Sequence, residues 1–130
     1  MKQTKRQKQN VKKWLTGLRS GEYKRHEGSL KNVKILKSGK EKVSFCCLGV
    51  LADVCDVPFA HVVDVDGDCE LSNSGNKGNL PPDMFESLTG IVDIVSDTET
   101  QDDLAAKNDS GNYSFNKIAD YIERKILSQK

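Results

Sequence analysis

The sequence predicts one small α+β domain, a mainly antiparallel sheet with about four helices. Three observations carry that expectation. The chain has 130 residues, the size of a single domain. Apolar stripes with helical period lie near both ends. Between them sit short β-prone runs punctuated by Gly, Asn and Asp, with no internal repeat and no linker long enough to separate domains. Residues 1–9 are polar and basic and are expected to fray; residues 10–130 are expected to form the domain.

The first helix is read from about Asn10. Val11, Trp14, Leu15 and Leu18 recur at i, i+3, i+4 and i+7, which places them on one face. Ser20-Gly21 stops it. Val33, Ile35 and Leu36 mark a short strand in a basic, glycine-punctuated stretch, and Lys42 to Phe45 marks a second. Phe45 to Cys55 reads as a buried helix, with Cys47, Leu48, Leu51, Val54 and Cys55 on one face and Pro58 preventing its extension. His61 to Val65 and Cys69 to Leu71 are strand readings joined by Asp66-Gly67, a hairpin-turn dipeptide. Leu80-Pro-Pro opens a short helix carrying Met84, Phe85 and Leu88, with Gly90 at its exit. Ile91 to Val95 reads as a strand, and Asp97 to Asp103 as a solvated loop or helix start. The last helix is the clearest: Ser114 suits its N-cap, and Phe115, Ile118, Ala119, Ile122 and Ile126 form a continuous stripe.

Charge is unevenly distributed. The net charge is +1, yet residues 1–42 hold fourteen Lys and Arg against three acids, and residues 43–130 hold six against sixteen. The segments therefore carry +11 and −10. The basic third suits a small anionic partner, while the acidic remainder disfavours long nucleic acid spread across the surface. The same asymmetry permits charge pairing between subunits, so a homo-oligomer is expected. No apolar stretch approaches the roughly 20 residues of a membrane span, and no apolar segment follows the basic N-terminus as in a secretory signal. No membrane partner and a cytoplasmic location are expected.

The four cysteines, Cys46, Cys47, Cys55 and Cys69, lack the paired C-x-x-C of a zinc ribbon, and a vicinal pair strains tetrahedral geometry, so no metal is expected. Reduced thiols follow. Asp64-Val-Asp66-Gly67-Asp68 departs from a calcium loop, because Gly67 is fourth and Gly75 stands at the twelfth position. Neither G-x-G-x-x-G nor G-x-x-x-x-G-K-S/T is present, and no cofactor is expected. Phosphate recognition would fall to scattered cations and backbone N–H groups. Arg19, Lys24 and Arg25 supply charge, and Tyr23, Tyr113 or Phe115 supply stacking surface. Asn108 and Asp109 begin a turn-prone run leading into the last helix and supply hydrogen bonds to a base or ribose. The site would lie between the basic N-terminal segment and the start of the last helix. A different chemistry places Cys46 or Cys47 at a helix N-terminus as a nucleophile, with His61 as base and Asn108 or Asp109 orienting it.

Several strings carry a resemblance. Trp14-Leu-Thr-Gly-Leu-Arg-Ser-Gly-Glu-Tyr23, Gly28-Ser-Leu30, Phe45-Cys-Cys-Leu-Gly-Val-Leu-Ala-Asp53, Leu80-Pro-Pro and Leu104 to Glu123 resemble a widespread group of small bacteriophage proteins. Phe45 stands where that group usually has Tyr, and Ala52 where it usually has Cys. By analogy with phage accessory proteins of this size, the resemblance implies a counter-defence role in the host cytoplasm. The expected mechanism is binding and sequestration of a small nucleotide-derived immune signal, a cyclic oligonucleotide or an ADP-ribose-type molecule, without catalysis. The alternatives are a protein–protein inhibitor masking a host defence enzyme and the cysteine hydrolase.

Overall fold

A computed structural model describes residues 3–60, 65–72, 74–91, 99–110 and 113–127. The elements run α1 (Lys5–Arg19), β1 (Lys31–Ile35), β2 (Glu41–Phe45), α2 (Cys47–Val54), β3 (Asp68–Cys69), α3 (Pro82–Thr89), α4 (Glu99–Asp109) and α5 (Phe115–Leu127). This is a small α+β fold; among the described residues it has one antiparallel three-stranded sheet, ordered β2-β1-β3, and five helices where about four were expected. The additional helix is α4, which begins inside the acidic stretch read as a loop or helix start.

Helix α1 starts five residues before the expected Asn10. Thr4 accepts from the backbone N–H of Gln7 (3.1 Å), and the Gln7 side chain accepts in return from the N–H of Thr4 (2.8 Å). That reciprocal cap satisfies two of the otherwise unpaired N–H groups. The polar side chains beyond it are not a solvated tail. Gln3 donates to the carbonyl of Thr89 (2.6 Å), Gln7 to Glu86 (3.2 Å) and Asn10 to Leu88 (3.0 Å). These carbonyls belong to the last turn of α3; that of Glu86 also accepts from Gly90 N–H (2.7 Å), while those of Leu88 and Thr89 lie beyond the helix's own N–H groups. The polar N-terminus of α1 therefore closes the C-terminus of α3.

The predicted stripe of α1, Val11, Trp14, Leu15 and Leu18, is buried against α2, α3 and α5. Trp14 is fully enclosed. Its indole N–H donates to the carbonyl of Cys47 (2.8 Å), and its ring meets Phe85 edge-on at 6.2 Å. Helix α2 is apolar from Cys47 through Ala52, all of them buried, and carries the exposed Asp53 in its last turn. Ile118, Ala119 and Ile122 of α5 complete the core, while Ile126 falls among side chains not described. Helix α4 is tied to the segment before α3 by the buried Gln101, whose amide donates to the carbonyl of Leu80 and accepts from its N–H, both at 2.9 Å.

Strands β1 and β2 form a hairpin in the register Lys31↔Phe45, Val33↔Val43 and Ile35↔Glu41. Strand β3 is shorter than the Cys69–Leu71 reading, and Leu71 instead bridges Phe59. Gly67 has φ of 90°, the left-handed region that favours glycine, and its carbonyl accepts from Val33 N–H at 2.8 Å. The strand readings at His61–Val65 and Ile91–Val95 fall almost wholly outside the described residues.

A candidate ligand groove beside helix α5

The exit of α1, the chain from Gly21 to Arg25 and the first turn of α5 enclose a concavity of about 570 Å³. Arg19, Tyr23, Arg25, Phe115 and Lys117 line it, with Ser114 at its end. It lies where the sequence placed the site, and it gathers four of the eight predicted residues. Tyr113 lines a neighbouring hollow of about 440 Å³ with Asp120, Glu123 and Arg124. Lys117 borders both hollows.

Each side chain is positioned by identifiable contacts. Ser114 accepts from the N–H of Lys117 (3.2 Å), capping α5 as its position predicted. Lys117 places a cation in the first turn of α5, where no acid balances it. That placement opposes the helix dipole and leaves this end of the groove positive. Arg25 donates to the carbonyl of Tyr113 (2.6 Å), with Glu27 further away at 3.7 Å. Arg19 donates to Asp120 (2.8 Å) and Glu123 (2.9 Å), and these hydrogen bonds hold its pKa above the ordinary guanidinium value. Its charge is thus partly answered from within the chain. The basic third and the acidic remainder meet in space here, inside one molecule.

Tyr23 meets Phe45 edge-on at 5.1 Å, and its hydroxyl donates to Asp53. Desolvation, then the Asp53 hydrogen bond, pushes the phenol well above its usual value, so it stays protonated and neutral. The groove thus combines cations with two aromatic rings, a set suited to an anion carrying a flat apolar part.

The remaining predicted residues stand elsewhere. Lys24 is exposed outside the groove, and its carbonyl accepts from Phe45 N–H (2.8 Å). Asn108 and Asp109 belong to α4, not to a turn before α5. Asn108 is fully buried. Its Oδ1 accepts from Cys47 N–H (3.1 Å) and its Nδ2 donates to His26 C=O (2.8 Å). Asp109 accepts from Gly28 N–H (3.2 Å). Neither residue lines the groove; the pair holds the backbone at His26, Gly28 and Cys47. Lys117 was missed in the sequence, although a cation three residues after a Ser N-cap is an unusual pairing and a legible signal.

The cysteine reading meets a different obstacle. Cys46 is the N-cap of α2, and its sulfur accepts from Gly49 N–H (3.4 Å). Backbone N–H groups of this kind lower a thiol pKa, but burial outweighs them and pushes Cys46 up to about 11. Burial raises Cys47 still more strongly. Both are therefore thiols at neutral pH, the opposite of an activated nucleophile. His61 lies outside the described residues. In the folded protein, alkylation at about pH 8 is expected to label half-buried Cys55 and to leave Cys46, Cys47 and Cys69 intact until denaturant is added. Mass spectrometry after timed quenching checks this. Among the described residues, no group of three or more His, Cys, Asp and Glu side chains is gathered as a metal would need, and no helix is long and apolar enough to cross a membrane.

A family model described as "Domain of unknown function (DUF8296)" matches residues 6–74. No curated protein and no solved structure matches the chain.

Proposed function

The chain belongs to the DUF8296 family, and from that premise we propose that it binds and sequesters a small nucleotide-derived anion without catalysis. The observation that carries this reading is the meeting of Arg19, Arg25 and Lys117 with Tyr23 and Phe115 around one concavity. Phosphates would lie toward the cations at the start of α5, and a base would rest against an aromatic ring. The high pKa of the Cys46 and Cys47 thiols supports holding the ligand rather than cleaving it.

The resemblance of Trp14–Tyr23 and Phe45–Asp53 to small bacteriophage proteins supports the biological setting: a phage-encoded protein that withdraws a cyclic oligonucleotide or ADP-ribose-type immune signal in the host cytoplasm. The groove is open on one side, and a second subunit would enclose a ligand more completely, which supports a homo-oligomer.

Calorimetry with cyclic di- and trinucleotides and cyclic ADP-ribose isomers tests the reading. One of these is expected to bind at micromolar protein and to be released intact by heat. Arg25→Ala is expected to weaken that binding by about tenfold, the loss of one charge-assisted contact. A chemically altered product on release, or no binding by any of them, overturns the proposal.

A further inference from the structure

Among the described residues, β3 pairs only with Lys31 and Asn32, and Gly67 adds one bond to Val33, so the far half of the β1–β2 hairpin has no further strand beside it there. All four exposed large apolar side chains among the described residues gather at this end: Ile35, Leu36, Val43 and Val65. Ile35 is 76% exposed. Side chains alternate across a strand, so the register puts Val33, Val43 and Ile35 on one face, flanked by Glu41 opposite Ile35 and by Phe45 opposite Lys31, and the directly opposed Lys34 and Lys42 on the other. Two like charges facing each other destabilise a hairpin, and Lys37 and Lys40 add to the positive field at the turn.

Among the described residues, the hydrogen-bond pattern leaves the outer edge of β2 open at Glu41 and Val43. Phe45 makes both its main-chain bonds away from β1, donating to Lys24 and accepting from His26. Val33, opposite Val43, likewise donates away from β2, to Gly67. In an antiparallel pair, bonded and non-bonded positions alternate. The N–H and C=O groups of Glu41 and Val43 therefore point outward, along the continuation of the edge that the Lys24–His26 segment covers only at Phe45.

We propose that this edge of β2 is the docking site for an extended segment of a partner protein, alternately aliphatic and acidic, which adds to the sheet as a further strand. The outward main-chain groups give it hydrogen bonds. Alternation sets its chemistry: one face of the added strand meets Val43, with Val33 and Ile35 behind it and Glu41 beside it, and the other meets Lys42, with Lys34 behind it on β1. Competing occupants fit less well. A second copy of the hairpin would bring lysine against lysine. A lipid surface offers the outward N–H and C=O groups no strand partner. Nucleic acid answers the lysines but not the aliphatic face. The proposal uses a surface separate from the groove beside α5 and stands independently of the reading given for it.

The test is calorimetry of the full chain with a peptide of about eight residues alternating valine and glutamate, against one alternating valine and lysine and one with valines and glutamates in separate blocks. The alternating acidic peptide is expected to bind and the others are not. Val43→Pro removes only the outward N–H, a change tolerated on an edge strand. It is expected to weaken binding about tenfold, with β1–β2 pairing checked by circular dichroism and melting. The double variant Lys34→Glu, Lys42→Glu is expected to invert the preference toward the lysine peptide, which keeps the test decisive should Val43→Pro fail to fold. Absence of binding, equal binding of the blocked peptide, or a double variant that keeps the acidic preference overturns the proposal. So does tighter binding of phosphatidylserine vesicles or duplex DNA, or self-association that Val43→Pro abolishes.

Discussion

Asn108→Ala is expected to destabilise the protein by about 3 kcal/mol and to lower its melting temperature by about 10 °C. The side chain is fully buried and joins three segments distant in sequence: α4, the N-terminus of α2 through Cys47 N–H, and the His26 carbonyl. Alanine leaves the buried Cys47 N–H and the part-buried His26 carbonyl without this partner, each costing about 1–3 kcal/mol where water cannot replace it. The small cavity adds to this. Asn108→Asp separates the contributions, since it keeps an acceptor for Cys47 N–H but loses the donor to His26 and buries a carboxylate. It is expected to be no more stable than the alanine variant at neutral pH and to recover part of the loss as pH falls and the carboxyl is protonated. Urea unfolding of the three proteins measures this. An alanine variant within 1 kcal/mol of the parent would show that Asn108 does not hold these segments together.

Gly49→Ala is expected to have a still larger effect, at least about 4 kcal/mol, enough to leave much of the protein unfolded. A Cβ on Gly49 would stand 1.8 Å from the carbonyl oxygen of Leu30 and 2.7 Å from its carbon. Those atoms belong to backbone fixed by Cys46 N–H donating to the same oxygen (3.1 Å), so no rotamer change relieves the clash. Helix α2 would have to move away from the sheet. Gly17→Ala provides the contrast within the same core. Its Cβ would meet methyl groups of Val50 and Val54 at 3.2 Å, and these side chains can shift. The gain in helix propensity is about 1 kcal/mol, so Gly17→Ala is expected to fall near neutral. Equal losses at the two positions, by thermal or urea unfolding, would contradict this account.

Much of the fold was legible because burial imposes a period. The stripes of α1 and α5, the apolar run of α2 and the alternation in the hairpin all follow from apolar faces meeting one core. The start of α1 escaped for a different reason. Thr4-x-x-Gln7 is a capping-box pattern, but it lies in a run of Lys, Arg and Gln that reads as a solvated tail. Its purpose there, closing α3 through Gln3, Gln7 and Asn10, depends on a helix almost eighty residues away, as the Asn10–Leu88 separation of 78 shows. Helix α4 was hidden similarly. Its inward face is Gln101, Leu104 and Asn108, at helical spacing, but two of the three are polar. A hydrophobicity pattern cannot register buried amides satisfied by backbone. Asn108 and Asp109 were consequently read as turn chemistry and assigned to a ligand. Charge and aromatic residues alone pointed to the region between α1 and α5 where the groove lies, while the carboxylates that restrain Arg19 come from α5 and are visible only in three dimensions.

The cap that Asn108 places on α2 has a consequence for the order of synthesis. Residues 6–74 contain all but the first residue of α1, the three described strands and α2, but the first N–H of α2 beyond its N-cap finds its acceptor only at residue 108, and Trp14 rests against Phe85. On the ribosome, that N-terminal stretch emerges with its central helix unfinished and one side of α1 bare. Final closure must wait for the last third of the chain. A truncated product ending near residue 74 would therefore be expected to behave as a sticky intermediate rather than as a smaller version of the protein.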